Sequence, residues 1–254
     1  IAVREDVTST IGLTFMNINS LFPDESKDVV TLEDCLSDVE VDRKEADELT
    51  EKFKNKSHYE TWLKMPDDPD KVETGCDYHP KGHHFNMKKT SRHKPAPTIT
   101  ATGGAMHWTE PRPFTVKEIK RIMSLPDDFK LTGSYSQQSE RCGRMVPPLM
   151  MKAIAYQKYN LKDVKEASAQ NKFSVISTFA GGGGSSTGYR LAGGNILCVN
   201  EFVEQARITY KENYPDTKIL PDDIKQLTGK DFLETAGIQK GELDILDGSP
   251  PCSA

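Results

Sequence analysis

Val175-Ile176-Ser177-Thr178-Phe179-Ala180-Gly181-Gly182-Gly183-Gly184 carries the reading of the fold. Its first residues, Val175-Ile176-Ser177-Thr178, make a short apolar strand; a glycine run follows, and a helix is expected from about Ser186. The alternation continues downstream. Ile196-Leu197-Cys198-Val199 is the next strand, residues 202–213 the next helix, and Leu243-Asp244-Ile245-Leu246-Asp247 a later strand. Strands alternating with helices predict an α/β fold with a parallel sheet and ligand sites at its carboxyl edge.

A glycine turn between strand and helix lets a ligand approach the backbone and the amide-rich helix end. Glu201, 20 residues after Gly181, stands where an acid accepts hydrogen bonds from ribose hydroxyls. Asp223, just before Ile224, falls where a third strand should end and can meet an adenine amino group. These features suit an adenosine-type cofactor, and they suit NAD and S-adenosylmethionine equally.

Upstream of residue 158 the character differs. The first 70 residues are acidic, with one amphipathic helix expected near 41–56, where Val41, Ala46, Leu49 and Phe53 share a face. Residues 78–94 contain Lys81, Lys88, Lys89, Arg92 and Lys94, with Tyr78, Phe85 and several histidines, and no acid. Such a basic, aromatic-bearing loop suits phosphate contact, and equally an ordinary solvated loop. Cys76, His79, His83 and His84 have the spacing of half a zinc finger with no second cysteine, so no metal is expected. Thr115 and Glu118 form a capping box ahead of Val116, Ile119, Ile122 and Met123, and Pro126 stops that helix. A second helix is expected from Pro147-Pro148, with Leu149, Met150, Ala153 and Ile154 as its core stripe.

Composition bounds the rest. The chain has 254 residues, 36% hydrophobic and 28% charged, with a formal net charge of −5. That is a globular composition with no stretch near the roughly 20 apolar residues of a membrane span. Ile1-Ala2-Val3-Arg4-Glu5-Asp6 is no secretory signal, and Cys35, Cys76, Cys142, Cys198 and Cys252 are scattered, which points to a reducing, cytoplasmic setting. The absence of an initial Met and the ending at Cys252-Ser253-Ala254 suggest a fragment.

Asp244-Ile245-Leu246-Asp247-Gly248-Ser249-Pro250-Pro251-Cys252 puts a thiol on a stiff Pro-Pro turn beyond a sheet strand, as a nucleophile requires. With Phe179-Ala180-Gly181-Gly182-Gly183-Gly184, Glu201 and Asp223-Ile224, this segment resembles the first four blocks of the DNA (cytosine-5)-methyltransferases. Arg112-Pro113-Phe114-Thr115-Val116-Lys117-Glu118 through Leu125-Pro126-Asp127 resembles that family's late helix block. Glu140-Arg141-Cys142-Gly143-Arg144-Met145-Val146-Pro147-Pro148 resembles its last block, although many members carry Asn where Arg144 stands. Lys94-Pro95-Ala96-Pro97-Thr98-Ile99-Thr100 resembles the end of its target-recognition region, and Ile1 to Val7 the strand after its arginine segment.

The resemblance implies a partial Rossmann-like, S-adenosylmethionine-dependent methyltransferase sheet with a smaller, loop-rich target-recognition region. It implies Cys252 as the nucleophile on Pro250 and Pro251, acting on a cytosine flipped out of double-stranded DNA. It implies a pocket for S-adenosylmethionine at Phe179, Ala180, Gly181, Gly182, Gly183, Glu201, Asp223, Ile224, Asp247, Arg144 and Val146. DNA contacts are expected at Lys81, Lys88, Lys89, Arg92, Lys94, Thr98 and Thr100.

The expected organisation is 1–100 (a catalytic end and recognition region), 101–157 (late helical blocks), 158–172 (a linker) and 173–254 (cofactor and nucleophile). That order is reversed for the family, as in a circular permutation or at the junction of two tandem methyltransferases. The family's Glu-Asn-Val-type and Gln-x-Arg-x-Arg blocks have no counterpart here. The chain alone is therefore expected to be inactive or weak, with a second chain or domain supplying them. A bacterial or phage restriction-modification setting fits. Rival readings are an NAD-dependent oxidoreductase, which has no use for Cys252; an adenine-type amino methyltransferase, which carries an aromatic after Pro-Pro; an RNA cytosine methyltransferase; and a non-catalytic DNA-binding partner subunit.

Overall fold

A computed structural model describes residues 28–101, 104–158 and 173–250. The segment Ile1 to Val7, nearly all of the expected linker, Pro251 and Cys252 lie outside the described residues.

Four parallel strands form the main sheet: β4 (Phe173–Thr178), β5 (Gly194–Asn200), β6 (Lys218–Leu220) and β7 (Ile245–Gly248), in the order β6-β5-β4-β7. The chain starts centrally at β4, runs outward to β5 and β6, then returns across β4 to place β7 on its other side. Val175 pairs with both Ile196 and Ile245. That reversal opens a crevice at the carboxyl end of β4. Val175, Ile176, Cys198 and Val199 are fully buried, as strands covered on both faces must be. Helix α7 (Gly184–Leu191) follows the glycine loop, α8 (Glu204–Asn213) follows β5, and α9 (Gly229–Ala236) lies against β5 and β6.

The preceding part contains α1 (Leu32–Leu36), α2 (Arg43–Lys54), α3 (His58–Trp62), α4 (Val116–Ile122), α5 (Tyr135–Arg144) and α6 (Pro148–Lys158). It also holds a small sheet of β1 (Glu73–Thr74), β2 (Lys88–Lys89) and β3 (Ala105–Met106). Helix α2 buries Ala46, Leu49 and Phe53, and α4 carries the Thr115–Glu118 capping box. The boundary expected at 100–101 runs through shared structure: β2 pairs with β3 across it, and Leu32 shares a core with Phe114, Ile119 and Met123.

One expectation about the helices needs correction. Leu149 and Met150 are exposed, and α6 instead buries Met151 and Ala155. Its phase is set by Gly188 on α7, where a Cβ would lie 2.5 Å from both the Met151 Cβ and the Pro148 carbonyl oxygen. Helix α5 has a polar sequence that hides its periodicity. The capping box of Ser134 and Gln137 marks its start.

The preceding part is organised around Arg112, whose side chain is fully buried. Its Nη1 and Nη2 donate to Glu118 at 2.7 and 3.1 Å, and its Nε donates to Glu110 at 2.8 Å. Burial alone would raise the Glu118 pKa. The Arg112 hydrogen bonds and charge, with Thr115, overrule it and hold the carboxyl below its ordinary value. His107 is pushed down to about 4, by burial first and then by Arg112.

The Glu118→Ala variant leaves a buried guanidinium without its main partner and should lose about 3–5 kcal/mol in urea unfolding. Both shifts destabilise on acidification. His107 takes up its proton in the unfolded chain first, so stability falls as pH drops from 6.5 towards about 4. Stability from Glu118 is present above the ordinary carboxylate range and is lost as pH falls through its depressed folded value. Unfolding curves of His107→Asn should be flatter in the upper window and unchanged in the lower one.

Candidate active-site cleft

The glycine loop alternates in hand. Phe179, Gly181 and Gly183 have φ of 55°, 56° and 103°, a left-handed conformation that glycine adopts without steric cost. A Cβ on Gly181 would meet nothing within 4 Å, so this side of the loop is open. Glu201 is buried beside it. One carboxylate oxygen accepts the Gly181 N–H at 2.7 Å, the other the Val203 N–H at 2.7 Å. The acid thus holds the loops after β4 and β5 together, and each oxygen keeps acceptor capacity. Asn200, also buried, donates to the Leu220 and Asp222 carbonyls at 3.0 and 2.9 Å, fixing the segment that leads to Asp223.

The opposite wall comes from α5 and the turn after it: Arg141, Arg144, Met145 and Val146. A Cβ on Gly184 would lie 2.6 Å from the Val146 carbonyl and 2.8 Å from the Met145 Cβ, and one on Gly182 would collide with the Met145 methyl. Further ties join the same surfaces. Thr132 and Thr209 hydroxyls are 2.7 Å apart, and Asn213 bonds both the N–H and the carbonyl of Lys130 at 2.8 Å. The cleft between the walls encloses about 1060 Å³. In its wall Arg141 donates to the Thr132 carbonyl, while its buried Nε has no hydrogen-bond partner among the described residues.

Of the residues expected at the cofactor pocket, Phe179, Ala180, Gly181, Gly182, Glu201, Asp223, Ile224, Arg144 and Val146 line this cleft, together with Ser249 and Pro250. Two do not. Gly183 faces α8, where its Cβ would meet the Tyr210 and Tyr214 rings at 3.2–3.3 Å. The Asp247 carboxylate turns under α7, accepting from Ser177 Oγ at 2.8 Å and Tyr189 Oη at 3.4 Å, and burial raises its pKa. It belongs to sheet–helix packing. Arg144 is exposed and paired with Glu140 at 3.0 Å. Sequence reasoning passed over Phe202, whose exposed ring lines the cleft next to Glu201. An aromatic directly after the acid is the signal that could have found it.

The basic loop divides. Lys81, Lys94, Thr98 and Thr100 are exposed and Lys88 is half-buried. Lys89 is not available to DNA: it is 0% exposed, with Nζ 2.9 Å from Asp67 and 3.7 Å from the centre of the Trp62 ring. Its place in β2 turns the side chain into the core of Phe53, Trp62 and Met65 rather than outward. Arg92 is paired with Asp68 at 2.8 Å and lies near Glu33.

The family model for C-5 cytosine-specific DNA methylase matches residues 1–160 and 173–254, on both sides of the expected linker. Among curated proteins, the Type II methyltransferase M.AgeI of Thalassovita gelatinovora is 39% identical over 78 residues, covering 31% of this chain and 18% of that protein. M.NgoPII of Neisseria gonorrhoeae is 34% identical over 84 residues, covering 33% and 23%. M.AquIA of a Picosynechococcus species is 34% identical over 80 residues, covering 32% of each. The matched part of the chain therefore spans less than a third of each relative.

The Gly184→Ala substitution forces a methyl group between the two walls and should cost about 1–3 kcal/mol in urea unfolding. Gly229→Ala, whose Cβ would meet nothing within 4 Å, should leave stability within about 0.5 kcal/mol of the parent.

Proposed function

This chain belongs to the C-5 cytosine-specific DNA methylases, and from that premise we propose that it carries the S-adenosylmethionine site and the nucleophile of a DNA (cytosine-5)-methyltransferase. The observation that carries this reading is the convergence of Gly181, Glu201, Arg141, Arg144, Met145, Val146 and Ser249-Pro250 on one cleft at the carboxyl edge of β4.

The cleft fits the cofactor's chemistry. Glu201 offers acceptors for ribose hydroxyls, Phe202 and Ile224 offer apolar surface to an adenine ring, and the open side of Gly181 admits a ligand against the backbone. The unpaired Nε of Arg141 is a donor suited to a carboxylate. When bound, S-adenosylmethionine supplies an electrophilic methyl group.

Cys252, two residues beyond Pro250, acts as the nucleophile. Its thiolate adds to C6 of the cytosine, which makes C5 enamine-like and able to accept the methyl group. A base then removes the C5 proton, the electrons of the C6–S bond return to sulfur and the cysteine leaves. Consecutive prolines at 250 and 251 restrict the backbone that leads to the thiol, which suits a nucleophile that must meet its target closely. The target base is unreachable inside a stacked duplex, so it is flipped out. The exposed Lys81 and Lys94 and the half-buried Lys88, with Thr98 and Thr100, meet the DNA.

The reversed order of blocks works in cis: the contacts of Gly182, Gly184 and Gly188 with residues 145–151 support a cleft assembled within one chain. The family's remaining blocks come from another segment or chain. The role is DNA modification of the Type II kind, in the cytoplasm. Among the described residues no helix is long and apolar enough to cross a membrane.

Calorimetry should detect S-adenosylmethionine binding by the chain, weakened about tenfold or more in Glu201→Ala. Supplied with the missing blocks, a duplex containing 5-fluorocytosine should trap the chain covalently, and Cys252→Ser should not be trapped. Binding of DNA with neither cofactor affinity nor trapping would favour a non-catalytic partner subunit, and preferential trapping on RNA an RNA methyltransferase.

A further inference from the structure

Phe85 has no place in the cofactor cleft, yet it is 68% exposed on a fixed loop. It stands at the tip of a tight turn in which the Met87 N–H donates to the His84 carbonyl at 3.0 Å. The chain leaving the turn is tied down twice. The Gly75 N–H donates to the Met87 carbonyl at 2.8 Å, and the Lys88 N–H to the Gly104 carbonyl at 2.7 Å. Behind the turn His84 stacks on His58 at 3.9 Å and meets His79 edge-on at 4.6 Å, and its Nδ1 lies 3.0 Å from Thr61 Oγ1. An aromatic ring held out on a stiff support has its ordering entropy settled before it meets a partner.

The surroundings give that partner's charge. Residues 78–94 contain no acid. Lys81 and Lys88 flank the turn in sequence, while Lys56, Lys64 and Lys81 bear electrostatically on the histidine stack from outside. A projecting ring on a basic stretch of chain matches a polyanion with apolar faces between its charges, which is what stacked bases between phosphates offer.

We propose that Phe85 is a wedge that inserts between base pairs of the duplex while Lys81 and Lys88 hold the adjoining phosphates, making it a positioning residue for the DNA. This rests on the proposed DNA-methyltransferase reading. Insertion unstacks one step and bends the duplex. Side-chain stacking offsets that cost, and the charges set the wedge's depth and register.

The test uses the full chain and a pool of mixed-sequence duplexes, with binding measured over a range of salt and base unstacking read by permanganate oxidation of thymines. The wild-type chain should raise thymine reactivity. Phe85→Ala should bind about tenfold more weakly, with its salt slope unchanged and the reactivity lost. Phe85→Trp should restore both. Lys81→Ala should instead lower the salt slope by about 1. Because Phe85 is exposed, circular dichroism of Phe85→Ala should match the parent. Wild-type affinity and thymine reactivity in Phe85→Ala would overturn the wedge and leave the proposed function standing. A wild-type chain that ignores duplex DNA would overturn both.

Discussion

The missing side chains of Gly184 and Gly188 are the constraint on which the architecture turns. They let residues 145–151 lie directly on the glycine loop and α7, closer than any Cβ would permit. That approach sets the phase of α6, brings Met145 and Val146 to the cleft and closes its second wall. Glu201 completes the arrangement from the other side by accepting amides of two successive loops. A rigid crevice at a strand-order reversal follows from these few contacts and from the path of the sheet.

The preceding part is held by a different kind of interaction. Arg112 is buried, and a buried guanidinium is tolerable only because Glu118, Glu110 and the Pro113 carbonyl together occupy its donors. Glu118 also caps α4 through Thr115, so a single carboxylate joins helix initiation to core electrostatics. Lys89 repeats the pattern with Asp67 and the Trp62 ring. Lys89 lies inside, which is why the exposed positive charge of residues 78–94 is smaller than their composition suggests.

Sequence reasoning reads best where a local rule is sufficient. The strand–glycine–helix alternation, the capping box at Thr115 and the interval from Gly181 to Glu201 follow from short-range geometry, and each is found near its expected residues. Direction is harder. Asp247 sits at the expected strand end, but strand alternation turns its carboxylate under α7 towards Ser177 and Tyr189. Lys89 looks like its neighbours until pairing of β2 with β1 and β3 turns it inward. Leu149 and Met150 look like a core stripe until Gly188, far along the chain, fixes which side of α6 is covered. In each case the deciding partner lies on another element, and no window along the chain contains it.

The close approach at Gly184 and Gly188 also has a consequence for how this sequence can vary. Positions 184 and 188 face backbone and Cβ atoms of residues 145–151, although the linker separates them in the chain. The atoms that crowd Gly184 and Gly188 are carbonyl oxygens and Cβ atoms, so a larger residue at either position is tolerable only if the backbone of the facing segment moves. Glycine should therefore be held at 184 and 188 whatever side chains face it, and a chimera that exchanges one part with a relative would inherit a mismatched seam unless the backbone path of the facing segment is the same.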